Sequence, residues 1–199
     1  MEWNLVKKVS YSLRIGIIGN LEYIKEIFLD NLNKIAINSN FSDGFYECLI
    51  IFKQIPIMIK VFITETLEAI IKNFENIQKL DIIILTLNLY DKNSLNTINK
   101  YLVEEFNETF LFQGLSVLVG MDIEQLINNS HSKSFKISRF KLEKTTKDLN
   151  LIYCFEVFNR GRDINEIYNT LFNDYILRFQ YSSPELFEKA KEYGKWLIS

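Results

Sequence analysis

The sequence predicts an α/β fold in which a mainly parallel, six-stranded sheet carries helices on both faces. Short apolar, β-branched runs alternate along the chain with segments that have the 3.6-residue period of an amphipathic helix. The run at residues 82–89 is the most apolar, which is typical of a central parallel strand buried on both sides. The runs at residues 45–52 and 57–63 are separated only by a turn, so we expect them to form an antiparallel hairpin.

The elements follow one another in a regular order. Strands are predicted at residues 13–18, 45–52, 57–63, 82–89, 115–119 and 151–157, and the hairpin turn at residues 54–56. Helices are predicted at residues 21–35, 67–74, 94–106, 137–149 and 164–179. Ser183 and Pro184 suit the start of an extra C-terminal helix. We therefore expect a single domain over residues 1–199, with a core at 13–180 and the added helix at 183–198.

Composition and charge exclude several classes of function. The chain has 199 residues, of which 48% are hydrophobic, and a net charge of −2, which gives no reason to expect a general nucleic-acid binder. Cys48 and Cys154 lack metal-ligand spacing, so we expect no metal site and no disulfide, as in a cytosolic or nuclear protein. No signal-peptide pattern and no apolar run near the about 20 residues that span a bilayer is present, so no membrane association is expected.

The order of the predicted elements, a first strand that leads into a loop and helix, then a hairpin, then alternating strands and helices, resembles the small Ras-like GTPase fold. A working phosphate loop after the first strand needs the pattern G-x-x-x-x-G-K-[ST]. Gly19 and Lys25 match this pattern. Ile24, however, occupies the position of the second glycine, and Glu26 occupies the position of the Ser or Thr whose hydroxyl binds Mg²⁺. Glu22 would also repel a triphosphate. The sequence therefore predicts a degenerate phosphate loop at Gly19, Lys25 and Glu26, with no bound nucleotide cofactor.

The other GTPase motifs are missing as well. Residues 64–68 lack the D-x-x-G that normally follows the third strand, and Asp122 has the wrong spacing for the guanine-reading N-K-x-D. Residues 158–160 replace the usual S-A-K. Because every motif is lost together, the sequence predicts a GTPase-shaped scaffold without GTPase chemistry.

No other catalytic arrangement is visible in the sequence. The single histidine, His131, lies in a polar stretch, and Cys154 lies inside an apolar strand. Glu104 and Glu105 are adjacent on a predicted helix and therefore do not converge on one site. We expect no catalytic residues and no enzymatic activity.

Residues 80–95, L-D-I-I-I-L-T-L-N-L-Y-D-K-N-S-L, resemble the fourth strand and following helix start of the centromere protein M family, a pseudo-GTPase family of the inner kinetochore. Residues 17–19 with Glu22 resemble its dead phosphate loop. Residues 110–120 and 151–156 resemble its fifth-strand entry and its last strand. These stretches occur in the same order and spacing, and the similarity extends from about Arg14 to the C-terminal helix.

The resemblance implies a non-enzymatic structural subunit in the nucleus, at the centromere and kinetochore. Such a subunit binds and stabilises a helical-repeat partner, centromere protein I, together with centromere proteins H and K, and binds neither nucleotide nor membrane. Two alternatives stay open: a degenerate GTPase-like adaptor of another pathway, such as trafficking, and a GTPase that binds nucleotide weakly.

An inert scaffold must act through its surfaces. By resemblance, Phe112 and Leu186 are the expected partner-binding residues, with ordinary core packing as the alternative. Residues 133–147 hold six basic side chains, Lys133, Lys136, Arg139, Lys141, Lys144 and Lys147. This segment is expected to be either a solvated face or an indirect or weak DNA contact.

Overall fold

The computed structural model describes residues 11–19, 21–74, 80–91, 93–96, 98, 112–128 and 136–198. Seven strands form one mixed sheet in the order β2-β3-β4-β1-β5-β6-β7. The strands are β1 (Tyr11–Ile18), β2 (Ala36–Ser42), β3 (Phe45–Phe52), β4 (Ile55–Thr64), β5 (Ile82–Asn88), β6 (Leu115–Met121) and β7 (Tyr153–Val157). The strands from β4 through β1 to β7 pair in parallel, whereas β2 with β3 and β3 with β4 pair antiparallel.

Helices cover both faces of this sheet. The segment called α1 consists of Leu21–Ile24, a π-helical turn at Lys25–Leu29, and Asp30–Ile35. The others are α2 (Leu67–Phe74), α3 (Ile123–Asn128), α4 (Arg139–Asp148), α5 (Arg162–Ser182) and α6 (Pro184–Ile198). One buried cluster packs α1, α5 and α6 on one face, and a second packs α2 and α4 on the other. The α/β class and the two-sided helix layers are therefore confirmed.

The six-strand count was wrong, because β2 adds a seventh strand at one edge. Its residues Ala36–Ser42 are rich in Asn and Ser and are almost all exposed, so they carry no apolar alternation. The strand forms because a two-residue turn, Asp43-Gly44, folds it onto β3, with φ of 53° and 80°. An Asp-Gly turn between strand-like runs is a known hairpin signal, and it was the available clue.

The hairpin between β3 and β4 turns earlier than expected. Lys53 and Gln54 form the turn with φ of 49° and 68°, and Ile55 and Pro56 already pair with β3. Two successive positive φ values match the twist of the flanking strands.

Other elements agree with the sequence or lie outside the described residues. The α2 bounds were predicted correctly, and β5 is buried along nearly its whole length, as expected of a central strand. The short helix α3 was not predicted. The predicted helix at 94–106 lies mostly outside the described residues, as do His131 and Lys133. Among the residues described, no helix combines the length and the apolar character needed to cross a membrane.

Candidate nucleotide edge and docking surfaces

The carboxyl ends of the parallel strands meet at one edge of the sheet, where open α/β folds usually bind their ligands. Gly19, the first residue of the predicted phosphate loop, follows β1 at this edge. Its backbone N–H donates a 2.9 Å hydrogen bond to the carbonyl of Thr64, which ends β4. The loop after β1 is thereby held against the end of the neighbouring strand.

The space around Gly19 is filled by two side chains. The Thr86 hydroxyl, from the central strand β5, donates a 2.9 Å hydrogen bond to the Ile18 carbonyl. A Cβ atom placed on Gly19 would collide with that hydroxyl and would lie 2.6 Å from Ile24 Cδ1. Ile24 itself is only 3% exposed. This corner, formed by Gly19, Ile24 and Thr86 and called the Gly19 corner below, is packed like part of the core.

Residues 21–25 are helical and do not form a phosphate loop. Its helix begins at Leu21, so four residues of the motif are already helical before Lys25. Lys25 and Glu26 lie in the π-helical turn that follows. A phosphate cradle needs successive backbone N–H groups turned toward the anion, whereas a helix turns most of its N–H groups to its own carbonyls. Of the three predicted loop residues, only Gly19 lies at the strand end.

Arg160 ties together three segments at the same edge. Its Nε donates a 2.6 Å hydrogen bond to the carbonyl of Leu126 in α3, and its Nη1 lies 3.7 Å from Glu26 Oε2 in α1. Its own carbonyl accepts a 2.7 Å hydrogen bond from the Asn31 amide, which also donates to the Ile27 carbonyl. Asn31 is 2% exposed. The loop after β7, where S-A-K was expected in a GTPase, thus links α1 to α3.

Asp163 fixes the shape of that loop. Its Oδ2 accepts hydrogen bonds from the N–H groups of Phe158 and Asn159, at 2.8 and 2.9 Å, and its Oδ1 lies 2.9 Å from Arg162 Nε. Burial by itself would raise the pKa of Asp163, but the two N–H donors and Arg162 outweigh burial and lower it. Asp163 is therefore a structural carboxylate that stays ionised while it holds the start of α5.

Asp122 caps the start of α3 and does not take the place of the guanine-binding aspartate of the N-K-x-D motif. Its Oδ1 accepts a 3.0 Å hydrogen bond from the Gln125 N–H, which is the usual geometry of an N-cap. Its Oδ2 accepts a 3.3 Å hydrogen bond from the Tyr90 hydroxyl, and its own N–H donates to the Val157 carbonyl. With both oxygens engaged and the residue 3% exposed, Asp122 is committed to the start of α3.

The two cysteines differ in burial. Burial raises the pKa of the Cys48 thiol to about 12, although a hydrogen bond with Tyr46 opposes this, so the reactive thiolate is strongly disfavoured. Cys154 is half-buried on β7. Within the described ranges, no group of three or more His, Cys, Asp or Glu side chains is placed to hold a metal ion.

A cavity of about 510 Å³ lies at the opposite edge, where the parallel strands begin. It is lined by Tyr11, Asp81, Tyr175 and Arg178, among others. Burial raises the pKa of Asp81, against the opposing effect of the 2.8 Å hydrogen bond that its Oδ2 accepts from the Arg14 N–H. This cavity lies away from the edge at which the sequence placed a nucleotide.

The two predicted docking residues differ in exposure. Phe112 is half-buried and packs against the second core cluster, with its ring over Gly114. Leu186 on α6 is 58% exposed. The other side of α6 packs on the sheet through Phe187, Ala190 and Gly194, and Gly194 lies directly against the Gln54 carbonyl. The amphipathic character of α6 therefore leaves Leu186 facing outward.

Other apolar side chains are exposed near the last two helices. A groove of about 1000 Å³ runs between α5, α6 and the β3–β4 turn, with Leu177 and Phe187 in its lining. The exposed apolar residues of α5 and α6 are Leu177, Tyr181, Leu186, Trp196 and Ile198. Scattered apolar residues are normal on a surface, so these five do not by themselves define a protein-binding face.

The described part of the basic segment lies mainly on α4. Arg139 forms a 2.7 Å ion pair with Glu143 and lies 3.9 Å from Glu156. Lys141, Lys144 and Lys147 are exposed on the same helix. Part of the positive charge is thus neutralised within the protein.

Sequence reasoning missed the roles of several residues that pack against, or form hydrogen bonds between, the elements at the carboxyl ends of the parallel strands. Thr86, Asn31 and Arg160 act through contacts with residues far away in the sequence, which local patterns do not reveal. Asp163, one residue inside the start of α5, carried the acidic first-turn signal of a helix start. No protein-family model and no curated protein matches this chain.

Proposed function

We propose that this chain is a non-enzymatic structural subunit of the inner kinetochore: a pseudo-GTPase that binds and stabilises a helical-repeat partner such as centromere protein I. Centromere proteins H and K would complete the assembly, in the nucleus at the centromere. The observation that carries the proposal is the filled Gly19 corner, because it replaces a phosphate cradle with core packing. The choice of pathway rests on the sequence resemblance at residues 80–95.

The scaffold part of the proposal is supported by the sheet. Apart from β2, the order of the described strands is compatible with the proposed GTPase-like scaffold. A hairpin, β3 and β4, joins a parallel set through β1, and the remaining strands follow in order. On this view β2 is an addition to the edge of a GTPase-like sheet.

The proposed loss of nucleotide binding is supported by the contacts that residues at the expected GTPase motif positions make within the fold. A site disabled by substitution alone would keep its space, whereas here Ile24 and Thr86 occupy the corner after β1. Asp122 caps α3, and Arg160 bridges α1 and α3. These contacts use the residues at the expected motif positions to stabilise the fold.

The partner-binding part is supported by α6. Leu186 is exposed on a helix whose other side is held firmly on the sheet, so it can enter a groove between partner helices without unfolding the domain. Phe112 is proposed as a second contact through the part of its ring that the core leaves uncovered. The exposed lysines of α4 are proposed to make at most a weak DNA contact, because Arg139 is already paired with acidic residues.

Nucleotide content tests the scaffold directly. The purified chain is denatured, and any released GTP or GDP is measured; we expect none. Excess GTP with Mg²⁺ should also leave the melting temperature unchanged, because a ligand that binds the folded state raises it. Stoichiometric nucleotide would overturn the proposal and favour a nucleotide-binding GTPase.

Affinity purification of the tagged chain at native level tests the pathway. Recovery of a helical-repeat protein with other centromere subunits is expected, whereas recovery of trafficking factors would keep the scaffold and overturn the kinetochore role. Leu186→Glu should abolish capture of the helical-repeat protein. Phe140→Glu is the matched control, since Phe140 is 77% exposed on α4, away from α6, and its change should leave capture intact.

A further inference from the structure

The turn between α5 and α6 contains a serine whose hydroxyl is not used by the fold. Ser183 is the one residue between the two helices, with φ of −149° and ψ of 65°. Its N–H donates to the Phe179 carbonyl, and its own carbonyl accepts from the Phe187 N–H. Within the described residues its hydroxyl forms no hydrogen bond, whereas the Ser182 hydroxyl donates to the Phe179 carbonyl. The Ser183 hydroxyl is therefore free to react.

The sequence around this hydroxyl fits one class of modifying enzyme. The chain has two prolines, and only Pro184 follows a serine or threonine, since Ile55 precedes Pro56. Proline-directed serine/threonine kinases require a proline directly after the residue that they phosphorylate. They bind that residue in a non-helical conformation, which a following proline favours. Ser183 is thus the one residue of the sequence that meets the requirement of this class of kinase.

The segment around Ser183 is accessible. Ser183 itself is half-buried, whereas Ser182, Pro184 and Glu185 are exposed, and Tyr181 is 81% exposed. These neighbours form the last turn of α5 and the first turn of α6. Helix ends open more readily than helix centres, so a kinase has to open only these two turns to reach the hydroxyl.

A phosphate on Ser183 would complete the start of α6. Pro184 has no N–H, and in the described part of the chain the N–H groups of Glu185 and Leu186 have no acceptor. These are the second and third residues of the helix, whose N–H groups an N-cap side chain normally binds. Phosphate oxygens are strong acceptors, and the helix dipole favours negative charge at this position. We therefore expect the modified chain to keep its fold.

We propose that Ser183 is phosphorylated by a proline-directed serine/threonine kinase and that the phosphate blocks docking at Leu186. In this reaction the Ser183 Oγ forms a bond to the γ-phosphorus of ATP, and the bond from that phosphorus to the ADP oxygen breaks. The hydroxyl proton passes to the catalytic aspartate of the kinase. The products are phosphoserine and ADP.

The position of Leu186 explains why docking would be blocked. Leu186 lies three residues after Ser183, less than one turn along α6. A phosphate that accepts the Leu186 N–H places almost two negative charges beside the side chain that is proposed to enter an apolar groove. Such a charge loses its water when the groove closes over it, which disfavours binding. This half of the proposal rests on the proposed function, whereas the modification itself does not.

Phosphorylation of the full chain in vitro tests the site. The folded chain is incubated with a purified cyclin-dependent kinase, ATP and Mg²⁺, and the modified residue is mapped by mass spectrometry. We expect phosphate at Ser183, and at least about tenfold less in Pro184→Ala, which keeps the serine but removes the proline that the kinase recognises. Ser182→Ala is the matched control and should be phosphorylated normally. Circular dichroism checks that each variant is folded.

The properties of the phosphorylated chain test the consequence. It should melt at no lower temperature than the unmodified chain, and the amide protons of Glu185 and Leu186 should exchange more slowly, because the phosphate accepts their hydrogen bonds. Its capture of the helical-repeat protein should fall at least about tenfold. Ser183→Ala treated with the same kinase should keep full capture, which separates the effect of this phosphate from any other effect of the treatment.

Three results would overturn the proposal. One is a folded chain that carries no phosphate at Ser183 after treatment, and another is equal phosphorylation of Pro184→Ala. The third is unchanged capture of the helical-repeat protein by the phosphorylated chain. If the unmodified chain captures no helical-repeat protein, the proposed function fails and the blocking of docking fails with it, while the mass spectrum still decides whether Ser183 is the modified residue.

Discussion

The Gly19 corner and the outer face of α6 use apolar side chains in opposite ways. At the corner, Ile24 is turned inward over Gly19 and is 3% exposed, whereas Leu186 on α6 is turned outward and is 58% exposed. The first arrangement closes the place where this kind of fold usually binds a ligand. The second leaves Leu186 exposed, so only another molecule could bury it without a change in the fold. The comparison indicates that the strand end at Gly19 is packed as part of the core, whereas the outer face of α6 stays exposed and is the surface proposed for partner binding.

The largest expected effect on the free energy of unfolding is at the Gly19 corner. Ile24→Ala should lower the free energy of unfolding by about 2–5 kcal/mol, because it removes a buried side chain and leaves a cavity. Urea denaturation followed by circular dichroism measures this. Leu186→Ala is the matched control and should change the free energy by no more than about 0.5 kcal/mol. Equal losses in the two variants would contradict the contrast between the regions.

Asp163→Ala should have the next largest effect on the free energy of unfolding. It leaves the N–H groups of Phe158 and Asn159 without their acceptor, which should cost about 1–3 kcal/mol of unfolding free energy. Asp163→Asn keeps an acceptor oxygen and should lose less. If the two variants lose the same amount, the hydrogen bonds are not the source of the stabilisation.

The stabilisation by Asp163 should depend on pH. Because its pKa is lower in the folded chain than in the unfolded chain, its contribution is complete above the unfolded value, near 4, and is lost as the pH falls through the folded value. The gap in unfolding free energy between the unmodified chain and Asp163→Asn should therefore narrow between about pH 5 and pH 2. A gap that stays constant over this range would rule out an ionised, hydrogen-bonded role.

A smaller effect is expected at Arg160. Arg160→Ala removes the hydrogen bond to the Leu126 carbonyl and the contact with Glu26, at a cost of about 0.5–1.5 kcal/mol. Thermal unfolding measures the loss. Hydrogen exchange should increase in α3 more than in α6, since this side chain contacts α3 and α1 but not α6. An increase spread evenly over both helices would show that Arg160 does not act locally.

The smallest effect on stability is expected for Leu186→Glu, which should change the melting temperature little while it removes partner binding. A large drop in melting temperature would mean that Leu186 packs within the domain, and the contrast with Ile24 would then fail.

Much of the fold could be predicted from the sequence, and the reason differs between elements. The buried strands β1, β5 and β6 and the helix α2 have strong local periodicity, so their existence and type were predicted correctly. Strand β2 was missed because an exposed edge strand of Asn and Ser needs no apolar pattern. The turn between β3 and β4 was misplaced because Pro56 was read as a turn residue, although it lies on the strand opposite Ile51.

The candidate site was predicted less well than the fold. The sequence correctly placed Gly19 at the end of the first strand and a helix from Leu21, so the degenerate phosphate loop that it assigned to Gly19, Lys25 and Glu26 lies within that helix after Gly19. Leu186 and Phe112 came from a resemblance, and their roles remain predictions. Arg160 was noticed only as a departure from a motif, and its bridging role depends on helices that meet it only after folding.

The sequence by itself determined the alternation of strands and helices, the central position of β5 and the absence of every GTPase motif. These follow from side-chain types and their local spacing, which act within a few residues. The tertiary structure alone decided that the corner after β1 is filled and that β2 is the last of the described strands at one edge of the sheet. The Thr86 hydroxyl reaches the Ile18 carbonyl across 68 residues of sequence, and the edge of β2 exists only once β3 has joined the sheet. Such features depend on which surfaces folding brings together, and the local spacing of residues in the sequence does not reveal them.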